Sequence, residues 1–382
     1  MFRRLTIRNF RSIEDATVEL GKFTVVVGPN GSGKSNFVDA LVFVRDLAKD
    51  AEQAVAVRGG FGSVLKRGSK RPYLRLDLRL AASEQGADKD HLQYRMVARG
   101  GSSNDWRFRE EHLTVLAKGK AVVEIDRVPN GGQARGQKRE FHFEIDTRAS
   151  ALALARQHGL IAAKYRAPLL DVRRYRLDPE AMRRPQKRTD ARILQENGAN
   201  LSTVVAQLHA DGEIDSTIET MRRVIPGLTN VRTMLAGDFE LLHFDQTLAH
   251  GTTTFSASEM SEGSLRALAV VVAAQQLQKG QLLVIEEPEA NVHPGAAALI
   301  YDVLEAASRR GDVLITTHSP DLLDAAKDET ILVCSAADGV TRIGPLDSGQ
   351  RQLVREGLFR LAELMRAEPL RIEGDEPETV DP

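Results

Sequence analysis

One octapeptide constrains this chain more than any other stretch: Gly28-Pro29-Asn30-Gly31-Ser32-Gly33-Lys34-Ser35, which fits the glycine-rich pattern of phosphate-binding loops. The pattern carries weight only between a strand and a helix. Here residues 23–28, strand-like in their β-branched and apolar content, lead into it and a helical stretch from Lys34 to about Leu47 follows. Glycines let the backbone curl until its N–H groups face phosphate oxygens, and the helix N-terminus adds a favourable dipole. Asn30, Gly31, Ser32, Gly33, Lys34, Ser35 and Asn36 are therefore the expected nucleotide-binding residues, with Lys34 reaching the β- and γ-phosphates. The Ser35 hydroxyl is placed for Mg2+, an ion that takes oxygen ligands and keeps waters beside phosphate.

Many folds use such a loop, so its partner motifs decide the class. The apolar run 281–285 reads as a parallel strand that delivers Glu286 and Glu287 beside the loop. Glu286 is expected to hold Mg2+ through water, and Glu287 to orient and polarise the attacking water. The pair replaces the commoner Asp-Glu, and a plain acidic helix cap is the competing reading. Downstream, residues 314–317 form another apolar strand that ends in His318, a candidate to hydrogen-bond the γ-phosphate or the water.

The strand grammar is split along the chain. Residues 1–50 and 252–366 read as one discontinuous core. Residues 51–148 read as a β-rich insertion, with alternating runs such as 74–80 and 121–125 separated by turns containing SSND and PNGG. Residues 149–251 read as a helical or mixed subdomain, with helical periods at 151–160, 199–210 and 213–224. No heptad repeat is sustained, which excludes long coiled-coil arms. Residues 367–382 carry six carboxylates against one arginine and include three prolines, so a flexible acidic tail is expected there.

Composition adds exclusions. The 52 basic and 53 acidic side chains nearly cancel, so any nucleic-acid binding must be local. The single cysteine, Cys334, rules out an intrachain disulfide and reads as a small buried apolar residue, which suits a reducing cytoplasm. The N-terminus lacks a signal-peptide core and no run of about 18 apolar residues occurs, so no membrane span is expected.

Residues 260–266, Met-Ser-Glu-Gly-Ser-Leu-Arg, open an apolar helix about twenty residues before the acidic strand. Ser261 and Gly263 at a helix N-terminus leave N–H groups able to face a phosphate. At this location the run resembles the ABC signature. With LTIRNFRSI, GPNGSGKSN, SEGSLRALA, EEPEANVHP, TTHSPDLLD and the middle segment YRLDPEAMRRP, the chain resembles bacterial ABC-type ATPases of the SMC, RecF and OLD-like class, specifically the OLD-related ones. The fold implied is an α/β P-loop NTPase, an ABC-ATPase head with an antiparallel β subdomain and a helical subdomain carrying the signature. The resemblance implies an ATP-dependent homodimer with two ATP molecules sandwiched between heads. Glu262 departs mildly from the usual signature, and the glutamine that senses ATP in other ABC proteins has only Gln53, Gln85 and Gln93 as candidates. OLD nucleases continue into a metal-dependent Toprim domain; no clustered carboxylates of that pattern follow Ser319, so any nuclease is expected to be a separate effector.

Ten basic and four acidic side chains lie between Lys164 and Arg192. Arg183, Arg184, Lys187 and Arg188 are the candidates for DNA phosphates, with a solvated loop as the alternative. Three functions compete: an ATP-driven dimeric switch acting on DNA or an effector in repair or phage defence, a slow nucleotide-dependent scaffold, and the energising subunit of a transporter.

Overall fold

The computed structural model describes residues 2–69, 73–81, 89–100, 105–128, 131–136, 139–143, 148–161, 163–326 and 331–375. The first third runs through β1 (Phe2–Phe10), β2 (Ile13–Glu19), β3 (Phe23–Val27), α1 (Lys34–Lys49), α2 (Ala51–Ala56), α3 (Phe61–Val64), β4 (Tyr73–Ala81), β5 (His91–Gly100) and β6 (Trp106–Ala117). Next come β7 (Lys120–Val128), β8 (Gly131–Gly136), β9 (Arg139–Phe143), α4 (Ala151–Gln157), α5 (Ala163–Leu170), β10 (Val172–Tyr175), α6 (Pro179–Arg183), β11 (Gln186–Lys187), α7 (Leu201–Ala210) and α8 (Ile214–Arg222). The last part holds β12 (Leu228–Ala236), β13 (Phe239–Leu248), β14 (Gly251–Ser256), α9 (Glu262–Gln275), β15 (Leu282–Glu286), α10 (Pro294–Ser308) and β16 (Asp312–Thr317). It closes with α11 (Pro320–Leu323), β17 (Ile331–Ala337), β18 (Val340–Pro345), α12 (Ser348–Arg355) and α13 (Leu361–Ala367).

Strands β10, β15, β16, β3 and β17 lie side by side and parallel. Such a sheet is covered on both faces, so its strands are near-continuous apolar runs, and every residue of β3, β15 and β16 is buried. Side chains alternate between two cores. Val26, Val284 and Leu314 face the α1 side with Phe37, Leu41 and the inner face of the antiparallel strands. Val25, Ile285 and Ile315 face α9 and α10.

The β-rich region is not a separate sheet. β1 and β2 pair with each other and β1 pairs with β4, so the antiparallel ladder runs β2-β1-β4-β5-β6-β7-β8-β9. It joins the parallel sheet through β18, where Thr341 registers with Ile13. The expected insertion boundary at residue 51 is accordingly moved: 51–64 forms α2 and α3, and the ladder begins with the N-terminal strands.

The expected unit 149–251 divides as well. α4 and β10 belong with the core, because Val172 is buried in the α1-side cluster and β10 is the sheet edge beside β15. The remainder builds a small sheet in which β13 pairs with β11, β12 and β14, covered by α7 and α8, and the expected boundary at 252 falls inside β14. The tail is corrected in part. Residues 368–375 are docked: Ile372 is buried, the Asp347 N–H donates to the Arg371 carbonyl, and Glu373 N–H donates to the Pro345 carbonyl. Residues 376–382, most of the SSND and half of the PNGG turn signals, and Gln85 lie outside the described residues.

Candidate functional site

The phosphate loop leaves the end of β3 and enters α1, as its sequence requires. Gly31 and Gly33 have φ of 80° and 103°, values that L side chains rarely adopt. Sterics add a second reason at Gly33: a Cβ there would stand 1.9 Å from Thr341 Oγ1 on β18. Thr341 belongs to a hydroxyl relay behind the loop. Asn36 Nδ2 donates to Ser12 Oγ at 2.6 Å, Ser12 and Thr341 hydroxyls meet at 2.7 Å, and Thr341 Oγ1 donates to Ser32 O at 2.9 Å. Cys334 is fully buried and its thiol also points at Ser32 O, 3.3 Å away, so the cysteine braces the loop.

Lys34 is folded back onto the loop, donating from Nζ to Gly28 O at 2.7 Å and Pro29 O at 3.0 Å. Burial lowers its pKa, opposed by the charges of Glu287, Glu289 and Glu286. Ser35 Oγ donates to Glu286 Oε2 at 2.6 Å, which joins the first turn of α1 to the end of β15. A hydroxyl and a carboxylate side by side are hard oxygen donors, the set that Mg2+ accepts next to phosphates. Among the described residues no group of three or more His, Cys, Asp or Glu side chains could hold a metal ion.

Parallel pairing sets the remaining carboxylates. β16 lies between β15 and β3, so the carboxyl ends of all three strands form one edge. Glu287, just past β15, has φ of 49°, an uncommon left-handed value for a glutamate, and its N–H donates to Thr316 O at 2.9 Å. His318 Nδ1 lies 3.2 Å from Glu287 Oε1, so the two predicted catalytic side chains meet.

Four residues that sequence reading passed over complete the site. Glu289 is buried; burial raises its pKa, against a hydrogen bond donated by the Thr317 hydroxyl. The same Thr317 oxygen accepts from Ser319 N–H at 2.9 Å, so Glu289 fixes the backbone on both sides of His318. Arg174 Nε donates to Glu286 Oε1 at 2.8 Å from the neighbouring strand β10. Arg176 and Arg266 share with Ser35, Glu286 and Glu287 a cleft of about 820 Å3. Arg266 comes from the signature helix and is 9% exposed; its Nη1 donates to Leu177 O at 3.0 Å. The signal for the arginines was their i, i+2 spacing on a strand, legible only once β10 is known to flank β15.

Gln53 and Gln93 sit on α2 and β5, and neither lines this cleft. The glutamine that does is Gln195.

The signature residues stand at the N-terminus of α9. Ser261 is the N-cap, accepting from Ser264 N–H at 3.1 Å. A Cβ on Gly263 would come within 2.3 Å of Asn291 O, so glycine is needed for the helix to seat against the loop after β15. Glu262, the departure noted above, accepts from Asn291 Nδ2 at 2.6 Å and ties the same two elements together.

The four-residue basic patch is not a single surface. Arg183 pairs with Glu180, donates to Met260 O at 3.2 Å and reaches Glu262 at 3.9 Å, so it supports the signature. Arg184, Lys187 and Arg188 are exposed, and Arg188 lies 3.8 Å from Glu240. A denser cationic surface lies elsewhere. The outer face of β1, β4 and β5 lines a cleft of about 550 Å3 with Arg4, Arg8, Arg75, Arg79 and Arg95 around Asp77. It arises from strand alternation, in which Leu74, Leu76 and Leu78 turn inward and Arg75 and Arg79 outward.

Residues 23–324 match the model of the family described as "AAA domain, putative AbiEii toxin, Type IV TA system". The chain belongs to this family. It is an ABC-type ATPase of the SMC, RecF and OLD-like class, as the first sequence resemblance indicated. Among characterised proteins it is 38% identical over 69 residues to the chromosome partition protein Smc of Methanocaldococcus jannaschii, 18% of this chain and 6% of that one. It is 26% identical over 164 residues to the zinc import ATP-binding protein ZnuC of Yersinia enterocolitica, 41% of this chain and 62% of that protein. It is 46% identical over 44 residues to the OLD nuclease of Thermus scotoductus, 12% of this chain and 8% of that one. The chain thus spans less than two thirds of the length of each of these relatives.

Two solved structures share the fold. An SMC head bound to the C-winged helix domain of ScpA superposes with a TM-score of 0.57 at 15% identity, covering 92% of this chain and 99% of that one. An SMC head with an extended coiled coil, bound to the C-terminal domain of ScpA derived from Pyrococcus furiosus, gives 0.51 at 14%, covering 94% and 99%. The α/β ABC-head expectation therefore stands. No helix among the described residues is long and apolar enough to cross a membrane.

Proposed function

We propose that this protein hydrolyses ATP, that two copies close on two ATP molecules, and that the resulting change of shape acts on DNA or on a separate effector. The observation that carries the reading is the convergence of Ser35 on Glu286 and of His318 on Glu287 at one sheet edge. Lys34 and the loop N–H groups would hold the phosphates, and Ser35 and Glu286 would hold Mg2+. A bound Mg2+ would supply charge neutralisation to the phosphates. Glu287 orients the attacking water and takes its proton as the water oxygen bonds to the γ-phosphorus. The bond to the β–γ bridging oxygen breaks, and ADP leaves with that electron pair. His318, held by Thr317 and Ser319, aligns Glu287 and faces the developing phosphate.

Ser261 and Gly263 in this reading complete the site of the second copy, and hydrolysis releases the pair. The SMC and OLD relatives motivate the DNA-linked output, in chromosome maintenance, repair or phage defence. The arginine face of β1, β4 and β5 supplies a surface for it.

The test is steady-state hydrolysis with Lys34→Ala as the blank, paired with gel filtration of Glu287→Gln. Glu287→Gln should lower kcat by about 100- to 10,000-fold while keeping ATP affinity, and ATP should shift it to the elution volume of a dimer. Unchanged turnover in Glu287→Gln would remove its catalytic assignment, and persistent monomer elution would remove the sandwich. Turnover too slow to measure in the parent, with ATP-dependent dimerisation intact, would leave the scaffold reading in its place.

A further inference from the structure

Arg174 and Arg176 lie on one face of β10 and its extension, because side chains two apart on a strand point the same way. The pairing of Tyr175 with Ile285 makes residue 176 level with Glu286. Its backbone is pinned there: Arg176 N–H donates to Glu196 O at 2.8 Å and Asp178 N–H to Asn197 O at 3.0 Å. The two guanidinium groups are nevertheless engaged very differently. Arg174 is buried against Glu286, with 14% of its side chain exposed and Nε 2.8 Å from Oε1. Arg176 is 60% exposed and stands 3.6 Å from the same oxygen, beyond hydrogen-bond distance.

One carboxylate oxygen does not need two arginines. The contact of Arg176 is a long, solvated one of the kind that contributes little to stability. Its place is the mouth of the cleft that also holds Ser35, Glu287 and Arg266, one carboxylate removed from the hydroxyl assigned to Mg2+ and the terminal phosphates. A nucleoside triphosphate with its Mg2+ brings a net charge of about −2 into this cleft, and a planar guanidinium is the group best shaped to take two phosphate oxygens.

We propose that Arg176 is a cis-acting γ-phosphate ligand, swinging from Glu286 to the terminal phosphate when a triphosphate binds and distinguishing ATP from ADP. This rests on the nucleotide site proposed above and adds to it a residue that reads which nucleotide is present. During hydrolysis the guanidinium would stay on the departing phosphate, where negative charge accumulates, without taking part in proton transfer. Arg174 remains on Glu286 throughout and acts as the positioning residue.

The experiment is calorimetric titration of the full chain with Mg2+·AMPPNP and with Mg2+·ADP, for the parent protein, Arg176→Ala and Arg176→Lys. The Arg176→Ala protein should lose about 10- to 100-fold in AMPPNP affinity, with ADP affinity unchanged within about twofold. Arg176→Lys should recover part of the AMPPNP affinity, since it restores the charge without the fork. Equal losses for both nucleotides, or no loss for either, would overturn the role of Arg176 and leave the nucleotide site standing. Failure of the parent protein to bind either nucleotide would overturn the site itself.

Discussion

Some ionisable residues of this protein lie where burial makes charge costly, and Glu111 on β6 shows the consequence. It is fully buried, accepts from Tyr94 Oη at 2.6 Å and from Ala151 N–H at 2.9 Å, and pairs with Arg127 at 2.9 Å. Burial pushes its carboxyl up to about 7, against Arg127 and both hydrogen bonds. The native chain therefore keeps a proton at Glu111 that the unfolded chain releases near the ordinary value of 4.5. The stability that goes with that proton is fully present below the unfolded value and is lost as pH rises through about 7. Glu111→Gln keeps an oxygen for Tyr94 and Ala151, matches the neutral carboxyl beside Arg127 and has nothing to titrate. Urea unfolding at steps from about pH 5 to 8 should show a flatter pH dependence in the variant than in the parent. Parallel curves for the two proteins would mean that Glu111 is ionised in the native state throughout.

At the scale of elements, the phosphate loop is held from behind by β18, an element far from it in sequence. The Thr341 hydroxyl bonds Ser32 O and meets Ser12, and the Cys334 thiol reaches the same Ser32 oxygen. Thr341→Val keeps the shape and removes the donor, leaving a buried carbonyl and the Ser12 hydroxyl short of a partner. The loss should be about 1–3 kcal/mol of stability, together with weaker ATP binding as the loop relaxes. Thermal unfolding with and without ATP checks this; an unchanged midpoint and an unchanged ATP-induced shift would show that β18 does not brace the loop. Gly263 plays the matching part on the signature side, since only its missing Cβ lets α9 close onto Asn291.

For the whole molecule, near-zero net charge conceals a segregated surface. The face of β1, β4 and β5 gathers five arginines around Asp77, with Arg8 also paired to Asp15, whereas the segment from Arg183 to Arg188 spends Arg183 on internal contacts. If the output acts on DNA, Arg4→Gln, Arg75→Gln and Arg95→Gln together should weaken duplex binding and reduce the magnitude of its salt slope by up to about three. The triple change Arg184→Gln, Lys187→Gln and Arg188→Gln should have the smaller effect. Fluorescence anisotropy across a salt series measures both. The reverse order would return DNA contact to the 184–188 segment, and no effect from either set would move the output toward a protein effector.

The sequence by itself determined what local chemistry dictates. The glycine loop, the apolar runs of β3, β15 and β16, and the residues at their ends were all legible, because a parallel strand buried on both faces and a phosphate loop each have a short-range signature. Glu286, Glu287 and His318 were singled out as candidates for the same reason: they lie at or just past the ends of such strands. Only the tertiary structure brought Arg174 and Arg176 to Glu286, Glu289 to Thr317, and Thr341 to Ser32, since each contact depends on which strands become neighbours across more than a hundred residues or on how one loop folds onto the next strand. The arginine face was likewise visible as an alternating run, yet its density came from three strands lying side by side. Strand order is set by the joint burial of two cores, and no single segment of sequence records it.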